Sequence, residues 1–541
     1  MKGDRMSGRP VSVFATFSSL LCLMLFAIVL TPAQEDVQIG PEVVEEDYHD
    51  TSIPLREMVP VPPLGTSQRV VIPLRRRPWP PIVSSEPEAV SQNLEQGPLV
   101  STTNKLNFDG ASANDDGTVT GFVFAPPDTN GSVGATQVVE TVNIVFKVFS
   151  KSTGGLVLGP RAISSIWSGF GGVCGNSSNS FTDPVVLYDK GAGRWLITIA
   201  ASHDKLKSGV ECIAVSKTSD ATGAYNRYSF SFGTNRFNDY PKFGVWPDAY
   251  YASYNVFSHS SFVGAKVCAY NRAAMIAGTS ATSICFQRST SDFSFLPSDL
   301  DGSTAPPAGE PNFYLELATS TTLKLFKFHV NFSTSSGTFT GPTTLTVPSY
   351  TEACPATGTC IPQTGTTQQL DSLGDRLMFR LAYRNLTTHE SLAASHSVKT
   401  SVAASGVRWY EIRSPNATTP TVFQKGTITS GSTSLWMGSI GMDKAGDIAV
   451  GFSESSSSIH PAIAYTGRVP TDTLGTMESI FVVKSGAGSQ NGGLSRWGDY
   501  TSMSIDPSDD CTFWYANEYI PSNGSFNWHT RLNSFKFTGC M

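Results

Sequence analysis

Acidic residues open a series of candidate strands at roughly regular intervals along this 541-residue chain. They are Asp128, Asp183, Asp239, Glu310, Asp371 and Asp499, and Trp436 holds the corresponding position between the last two. If these strand starts share one end of a fold, their carboxylates form a ring there. Crowded carboxylates repel one another, which raises some pKa values or attracts a hard cation such as Ca²⁺. The structural alternative is that each Asp accepts hydrogen bonds from its own turn.

Arginines at a spacing of four form the second candidate group. Arg376, Arg380 and Arg384 would lie on one face of a strand, because side chains alternate along it. A guanidinium offers a planar fork to a carboxylate, so this face could hold an anionic sugar. Ion pairs between packed sheets are the structural alternative. We add Arg376, Arg380 and Tyr500 to the acids as candidate ligand-binding residues.

No familiar catalytic motif accompanies these residues. The chain has no G-x-S-x-G elbow, no H-E-x-x-H pair and no phosphate-binding loop. It also has no C-x-x-C pair, so we predict no metal ligands and no cofactor apart from the Ca²⁺ that a carboxylate ring would attract. Catalytic residues therefore stay unassigned, and the sequence leaves open whether the protein is an enzyme.

Short strands and tight turns must position these side chains. In residues 495–519 Asp499 opens a strand, Asp506 and Pro507 make a turn, and an aromatic strand starts at Phe513. No long stretch keeps a helical period, which predicts an all-β fold. Counting Trp436, the strand starts define seven units about 55 to 71 residues apart. This size predicts a seven-bladed β-propeller, although six or eight blades also fit.

Several stretches of the second half carry a family resemblance. They are residues 370–385, 389–398, 406–413, 436–453, 495–519 and 527–537. The chain resembles, over about residues 116–540, secreted bacterial β-propeller proteins loosely grouped with sialidase-like or BNR-type propellers, a group with no settled activity. The resemblance implies a propeller fold and export. Residues 443–446, DKAG, lack most of the S-x-D-x-G-x-T-W box of sialidases, which argues against sialidase activity.

The N-terminal part differs from the rest in composition. Basic residues, an apolar run over 11–30 and small residues at 31–33 predict a signal peptide over residues 1–33, which would be a membrane anchor if uncleaved. Residues 34–105 are Pro-rich without hydrophobic periodicity, which predicts a disordered spacer. Residues 106–541 would form the propeller, with residues 118–124 giving the closing blade its outer strand.

Cysteine usage agrees with export. Setting aside Cys22 in the apolar run leaves eight cysteines, an even number that suggests disulfides in an exported chain. Proximity within the proposed units favours the pairs Cys174–Cys212, Cys268–Cys285, Cys354–Cys360 and Cys511–Cys540. We therefore expect a secreted or cell-surface protein.

Charge limits the possible partners. The net charge is −6 and only 15% of residues are charged, so there is no basic footprint for nucleic acid. The one compact basic run, residues 75–77, is predicted to be a solvated linker. We expect a monomeric binding module whose channel mouth takes an extracellular polysaccharide or a surface protein. The alternatives are a glycoside hydrolase or polysaccharide lyase acting on an anionic sugar, and a surface scaffold or adhesin.

Overall fold

The computed structural model describes residues 38–97 and 101–541, and these are mostly β-strand. The predicted signal peptide lies outside the described residues. The N-terminal elements are β1 (Ile39–Glu45), β2 (Tyr48–Thr51), β3 (Gln68–Val71), β4 (Ser91–Asn93), β5 (Thr102–Ser112), α1 (Ala113–Thr120) and β6 (Phe122–Ala125). Short 3₁₀ turns occur at Leu55–Glu57 and Ile163–Trp167. No helix in the described ranges is long and apolar enough to cross a membrane.

Runs of four antiparallel strands then follow one another to the end of the chain. The first two runs are β7 (Asn130–Val133), β8 (Gln137–Val142), β9 (Val145–Ser150) and β10 (Leu156–Ala162), then β11 (Ser180–Asp189), β12 (Arg194–Ser202), β13 (Gly209–Ser216) and β14 (Tyr225–Ser231). The third is β15 (Phe237–Val245), β16 (Ala249–Ser258), β17 (Ser261–Asn271), α2 (Arg272–Ala277) and β18 (Thr282–Gln287). The fourth is β19 (Leu296–Asp301), β20 (Asn312–Thr319), β21 (Thr322–Asn331) and β22 (Ser336–Thr346).

The remaining runs have the same plan. A two-stranded ladder, β23 (Thr359–Ile361) and β24 (Leu370–Asp371), precedes the fifth run of β25 (Met378–Asn385), β26 (Glu390–Val398), β27 (Gly406–Arg413) and β28 (Thr421–Thr429). The sixth is β29 (Ser434–Met442), β30 (Ile448–Ser456), β31 (Ile459–Arg468) and β32 (Phe481–Lys484). The last is β33 (Ser502–Ile505), β34 (Thr512–Tyr519) and β35 (His529–Phe537), completed by β5.

The first strand of each run lies innermost, and these inner strands surround one axis. A cavity of about 20 Å³ is lined together by residues of β7, β11, β19, β25 and β33. The circle closes between the first and last runs, where the Gly131 amide donates to Ser502 Oγ at 2.6 Å. The predicted all-β propeller is thereby confirmed. Because β19 and β25 pair in parallel and join two runs into one nine-stranded sheet, the blade number of seven stays a prediction.

The ring is closed by a strand from the N-terminal side of the propeller. Strand β5 pairs antiparallel with β35 and becomes the outermost strand of the last run. The sequence had suggested residues 118–124 for this position, and that was wrong. Those residues end α1 and form β6, which pairs with β3 instead.

Residues 38–97 differ from the expected disordered spacer. Strand β1 pairs with β18, β2 with β14 and β4 with β28, so each adds to the outer edge of a run. An edge strand needs only free backbone groups to pair with, and it can be exposed on its other side. This explains why the segment is ordered without hydrophobic periodicity.

Side chains between the sheets form the core. The aromatic rings that the repeat pattern places there are buried, and they are Trp195, Tyr251, Phe379, Phe452 and Trp514. Burial of each such ring contributes roughly 2–3 kcal/mol to stability. All four predicted disulfides are present, which confirms the proposed pairing.

Candidate functional site

Carboxylates from distant parts of the chain meet at one end of the channel. Each inner strand begins at this end, which we call the mouth. Carboxylate oxygens of Asp128, Asp183 and Asp499 lie within 4.8 Å of one another, and we call these three residues the central carboxylates. The amide of Asp499 also donates to Asp128 Oδ1 at 3.0 Å.

Two more of the predicted acids border this group. Arg496 joins Asp371 to the central carboxylates, because it donates to Asp371 Oδ2 and to Asp499 Oδ1, both at 2.6 Å. Arg75 Nη1 lies 3.6 Å from Asp239 Oδ1. The structure thus brings five of the six predicted acids to the mouth.

Glu310 is the predicted acid that lies elsewhere. It belongs to the loop between β19 and β20, at the opposite end of the channel, where Asn416 Nδ2 donates to its Oε2 at 2.9 Å. The inner strand of this run begins at Leu296 and not after Glu310. Because no acid opens β19, the regular spacing had pointed to the wrong strand.

The same local backbone geometry recurs at these strand starts. Asp183 has a φ of 56° and Tyr240 of 54°, each at a break in strand pairing, and Asp128 has 52° just before β7. Left-handed backbone is uncommon outside glycine, although Asp tolerates it better than most residues. This shared bulge at the start of β11 and β15 places the acids at comparable heights around the axis.

A lysine shares the buried space with the central carboxylates. Lys242 is fully buried, and its ammonium lies 3.5 Å from the ring centroid of Tyr240 and 4.0 Å from that of Tyr500. Its Nζ donates to Pro241 O at 2.8 Å. No carboxylate oxygen of the described chain lies within ion-pair distance of it. Burial lowers the pKa of Lys242 to about 8, against the opposing charges of Asp183 and Asp128.

Burial and mutual repulsion change the ionisation of the acids. Burial, followed by the charge of Asp239, raises the pKa of Asp183 to about 7. Burial, followed by the charges of Asp499 and Asp183, raises the pKa of Asp128 well above its usual range. Asp499 is instead ion-paired with Arg496. Two carboxyl groups of raised pKa, Asp128 and Asp183, therefore lie beside Asp499, which contacts Arg496.

Asn143 orients two of the central carboxylates. Its Nδ2 donates to Asp128 Oδ2 at 2.7 Å, and its Oδ1 accepts from the Asp183 amide at 3.0 Å. The sequence analysis missed Asn143, Lys242 and Arg496. The sequence did contain a clue to the two cations, because Lys242 lies three residues from Asp239 and Arg496 three residues from Asp499. Nothing in the sequence distinguished Asn143.

The predicted arginines are engaged by other parts of the protein. Arg376 donates to Asp375 Oδ1 at 2.9 Å and stacks on Tyr240 at 4.6 Å. Arg380 donates to Asp299 Oδ2 at 3.0 Å and also to Asp301. Neither guanidinium presents a free fork to an anion in this structure. Tyr500, the other predicted residue, contributes its ring to the surroundings of Lys242.

Residues 68–82 run across the mouth, and we call this segment the strap. In the strap, the carbonyl oxygen of Ile72 accepts a hydrogen bond from Arg496 Nε at 2.8 Å. The backbone amide of Arg77 donates to Asp375 Oδ2 at 2.7 Å. The basic run 75–77 is therefore not the solvated linker predicted from the sequence. With the strap in place, the exposed fraction is 0% for Asp128, 4% for Asp183 and 9% for Asp499.

An apolar cavity of about 240 Å³ adjoins the strap. Its walls include Ile72, Phe124, Ile144 and Thr182, and no charged residue lines it. The Thr182 hydroxyl also donates to Asp183 Oδ2 at 3.3 Å, so one wall of the cavity contacts a central carboxylate.

The central carboxylates could also hold a cation. Three carboxylates supply oxygen ligands of the kind that Ca²⁺ prefers. Lys242 and Arg496 bring positive charge to this group and balance part of its negative charge.

Comparison with known proteins identifies no family. No protein-family model matches the chain, and no curated protein matches it. Among solved structures, an α-L-arabinanase from Penicillium chrysogenum matches with 9% identity and a TM-score of 0.36, covering 81% of this chain and 100% of that one.

Two further structures match at a similar level. An α-L-arabinofuranosidase from Fusarium graminearum has 10% identity and a TM-score of 0.36 over 82% of this chain and 100% of that one. A ulvan lyase has 13% identity and a TM-score of 0.33 over 74% of this chain and 93% of that one. None of these three enzymes is a sialidase. At such TM-scores we base no argument about function on them.

Proposed function

We propose that the protein is a glycoside hydrolase that cleaves an extracellular polysaccharide at the mouth of its propeller. The observation that carries this proposal is the convergence of the three central carboxylates from three separate segments of the chain. General acid–base catalysis commonly uses buried acids whose pKa values differ from one another.

Asp183 and Asp499 have different surroundings, and this difference suggests a role for each. Asp183, whose pKa burial raises to about 7, would donate a proton to the leaving oxygen. Asp499, held by Arg496, would act as the ionised partner. Asp128 and Asn143 would hold the two in place.

The distance between the acids suggests the stereochemical course. Oxygens of Asp183 and Asp499 lie within 4.8 Å of one another. Retaining glycosidases separate their carboxyl groups by about 5–5.5 Å, and inverting enzymes by about 6.5–9.5 Å. Asp499 would therefore attack the anomeric carbon directly, and the product would keep its configuration.

The charges along the channel favour a neutral sugar. Arg376 and Arg380, the expected clamp for an anionic sugar, are both occupied by carboxylates. An anionic substrate would also meet the negative charge of the central carboxylates. We therefore propose a neutral polysaccharide as the substrate. Four disulfides favour an extracellular site of action.

A binding module without catalysis is the second candidate function. The low exposure of the central carboxylates favours it, because a buried acid cannot reach a substrate without a change at the mouth. Retention of a polysaccharide by the mouth without cleavage would support this candidate.

The test compares the release of reducing ends from a polysaccharide with the retention of the protein on that polysaccharide. Purified protein is incubated with neutral and uronic polysaccharides, and both new reducing ends and bound protein are measured. We expect reducing ends from a neutral chain, lost in Asp183→Asn and in Asp499→Asn. The matched control is Asp443→Asn, which removes another buried carboxyl of raised pKa at the opposite end of the channel. Retention without release would reject the hydrolase, and activity that survives both mouth substitutions would reject Asp183 and Asp499 as its catalytic residues.

A further inference from the structure

The strap contacts the mouth along its whole length. Ile72 meets Arg496 beside the last run, and Arg75 meets Asp239 of the third. Arg75 also lies over the rings of Phe237 and Phe257, at 5.4 and 4.5 Å. The strap thus contacts two neighbours of the central carboxylates, Arg496 and Asp239.

Two buried carboxylates hold the far end of the strap, Asp375 at the Arg77 amide and Glu352 through three contacts. Glu352 accepts from Arg76 Nη2 at 3.4 Å, from Arg77 Nη2 at 2.7 Å and from the Ile82 amide at 2.9 Å. Its side chain is only 1% exposed. Hydrogen bonds to charged groups are the stronger ones in proteins, so Glu352 acts as a latch for the strap.

The segments on either side of the strap are mostly exposed. Residues 59–67 precede it and residues 83–89 follow it, and both stretches lie largely on the surface. Beyond them, β2 and β4 are fixed to β14 and β28. Residues 68–71 of the strap form β3, which pairs with β6. Residues 72–82 can therefore leave the mouth without any rearrangement of the propeller sheets.

We propose that the strap is autoinhibitory. In its bound position it replaces solvent and substrate at the mouth, and a polysaccharide reaches Asp183 and Asp499 only after the strap has moved away. The basic side chains of residues 75–77 complement the acidic mouth and keep the closed form populated. This inference rests on the proposed function of the mouth.

The experiment measures access to the mouth separately from catalysis. Carbodiimide coupling to Asp239 and Asp499 is followed by mass spectrometry, with the exposed Glu57 as the internal reference. The first variant is Glu352→Gln, which weakens the latch. In the second, residues 72–82 are replaced by alternating glycine and serine, which removes the side-chain contacts of Arg75, Arg76 and Arg77. The matched control is Asp220→Asn, which removes a contact of Arg56 in the same N-terminal segment, away from the mouth.

We expect coupling at Asp239 and Asp499, and the rate of polysaccharide cleavage, to rise about tenfold or more in both strap variants and to stay unchanged in the control. Unchanged coupling in the glycine–serine variant would overturn the autoinhibitory role, whatever the activity. Faster coupling without any cleavage would keep the strap as a cover and reject the hydrolase. Equal cleavage by the wild type and both variants would keep the hydrolase and reject autoinhibition.

Discussion

The two ends of the channel differ in how completely their buried charges are paired. At the end away from the mouth, Arg380 donates to Asp299 and Asp301, and Arg384 donates to both oxygens of Asp510, at 2.9 and 2.8 Å. At the mouth, three carboxylates lie within 4.8 Å of one another. Lys242 and Arg496 only partly balance them.

This difference separates charges that hold the fold from charges that are available for chemistry. A buried charge with a well-placed partner stays ionised and costs little as long as both partners remain. Crowded acids without enough partners have perturbed pKa values, and such groups concentrate at functional sites. The comparison predicts that substitutions at the two ends affect different properties.

The largest effect is expected at the mouth. Asp183→Asn removes the proposed proton donor, so turnover should fall by about a hundredfold to ten thousandfold. The free energy of unfolding should stay the same or rise, because the substitution relieves repulsion with Asp239 and Asp499. Initial rates and urea denaturation of the same preparations check both statements. A large loss of stability would place Asp183 among the structural charges.

The opposite result is expected for Arg380→Ala. This change leaves Asp299 and Asp301 buried without their cation, which should lower the free energy of unfolding by about 3–5 kcal/mol. Urea denaturation measures the loss. Joint substitution of Arg380 and both acids by apolar residues should recover much of it, and failure to recover would show that packing rather than charge was lost.

The disulfides allow a comparison of the two ends that does not involve charge. Cys511–Cys540 spans 29 residues near the paired end, and Cys354–Cys360 spans 6 near the mouth. Loop-closure entropy predicts losses of about 3.6 and about 2.2 kcal/mol when each pair is replaced by alanines. Thermal and urea denaturation give the ranking, and a reversed order would mean that the short loop stabilises the mouth by other contacts.

Asp443 and Asp447, at the end away from the mouth, are two acids that form no ion pair in the part of the chain that the structure describes. The pH dependence of the free energy of unfolding tests their effect. Burial, then the charge of Asp447, raises the pKa of Asp443 to about 8. The folded protein therefore holds this proton more tightly than the unfolded chain, whose Asp pKa is near 3.8. The resulting stabilisation is complete below about pH 4 and is lost as the pH rises through about 8.

The free energy of unfolding should accordingly fall over this interval by at most about 1.4 kcal/mol per pH unit for this proton. Urea denaturation at several pH values measures the slope. Asp443→Asn should flatten it, whereas Asp220→Asn should not. An unchanged slope in Asp443→Asn would assign the pH dependence to other groups.

The smallest effect is expected at the surface. Arg56 and Asp220 form an exposed ion pair of 2.9 Å, with about half of each side chain accessible to solvent. Arg56→Gln, which removes the exposed cation, should change the free energy of unfolding by less than about 1 kcal/mol, and less still at high salt. A larger change would mean that the N-terminal segment contributes more to stability than its exposed contacts indicate.

Periodic features of the sequence predicted the fold well. The strand pattern predicted the propeller, and proximity within the repeat predicted each disulfide. Five acids were placed correctly at one end because strand starts repeat with the fold. Glu310 was misplaced because β19 begins without an acid.

Features that depend on contacts between distant segments could not be predicted. The strap is held by Glu352 and Asp375, which lie about 300 residues away along the chain. Pairing of β1, β2 and β4 uses backbone groups, which any sequence provides. The side-chain amide of Asn143 contacts Asp128 and Asp183, and only the folded ring brings these residues together.

The pairing of β5 with β35 has a consequence for how the protein is made. The outermost strand of the last sheet, β5, is synthesised before β7 to β34, and its partner β35 is synthesised last. During translation β5 must wait without its partner until residue 537 has left the ribosome. Completion of the last sheet is thus a late event, and shortening the chain before β35 would leave β5 without the strand that joins it to that sheet.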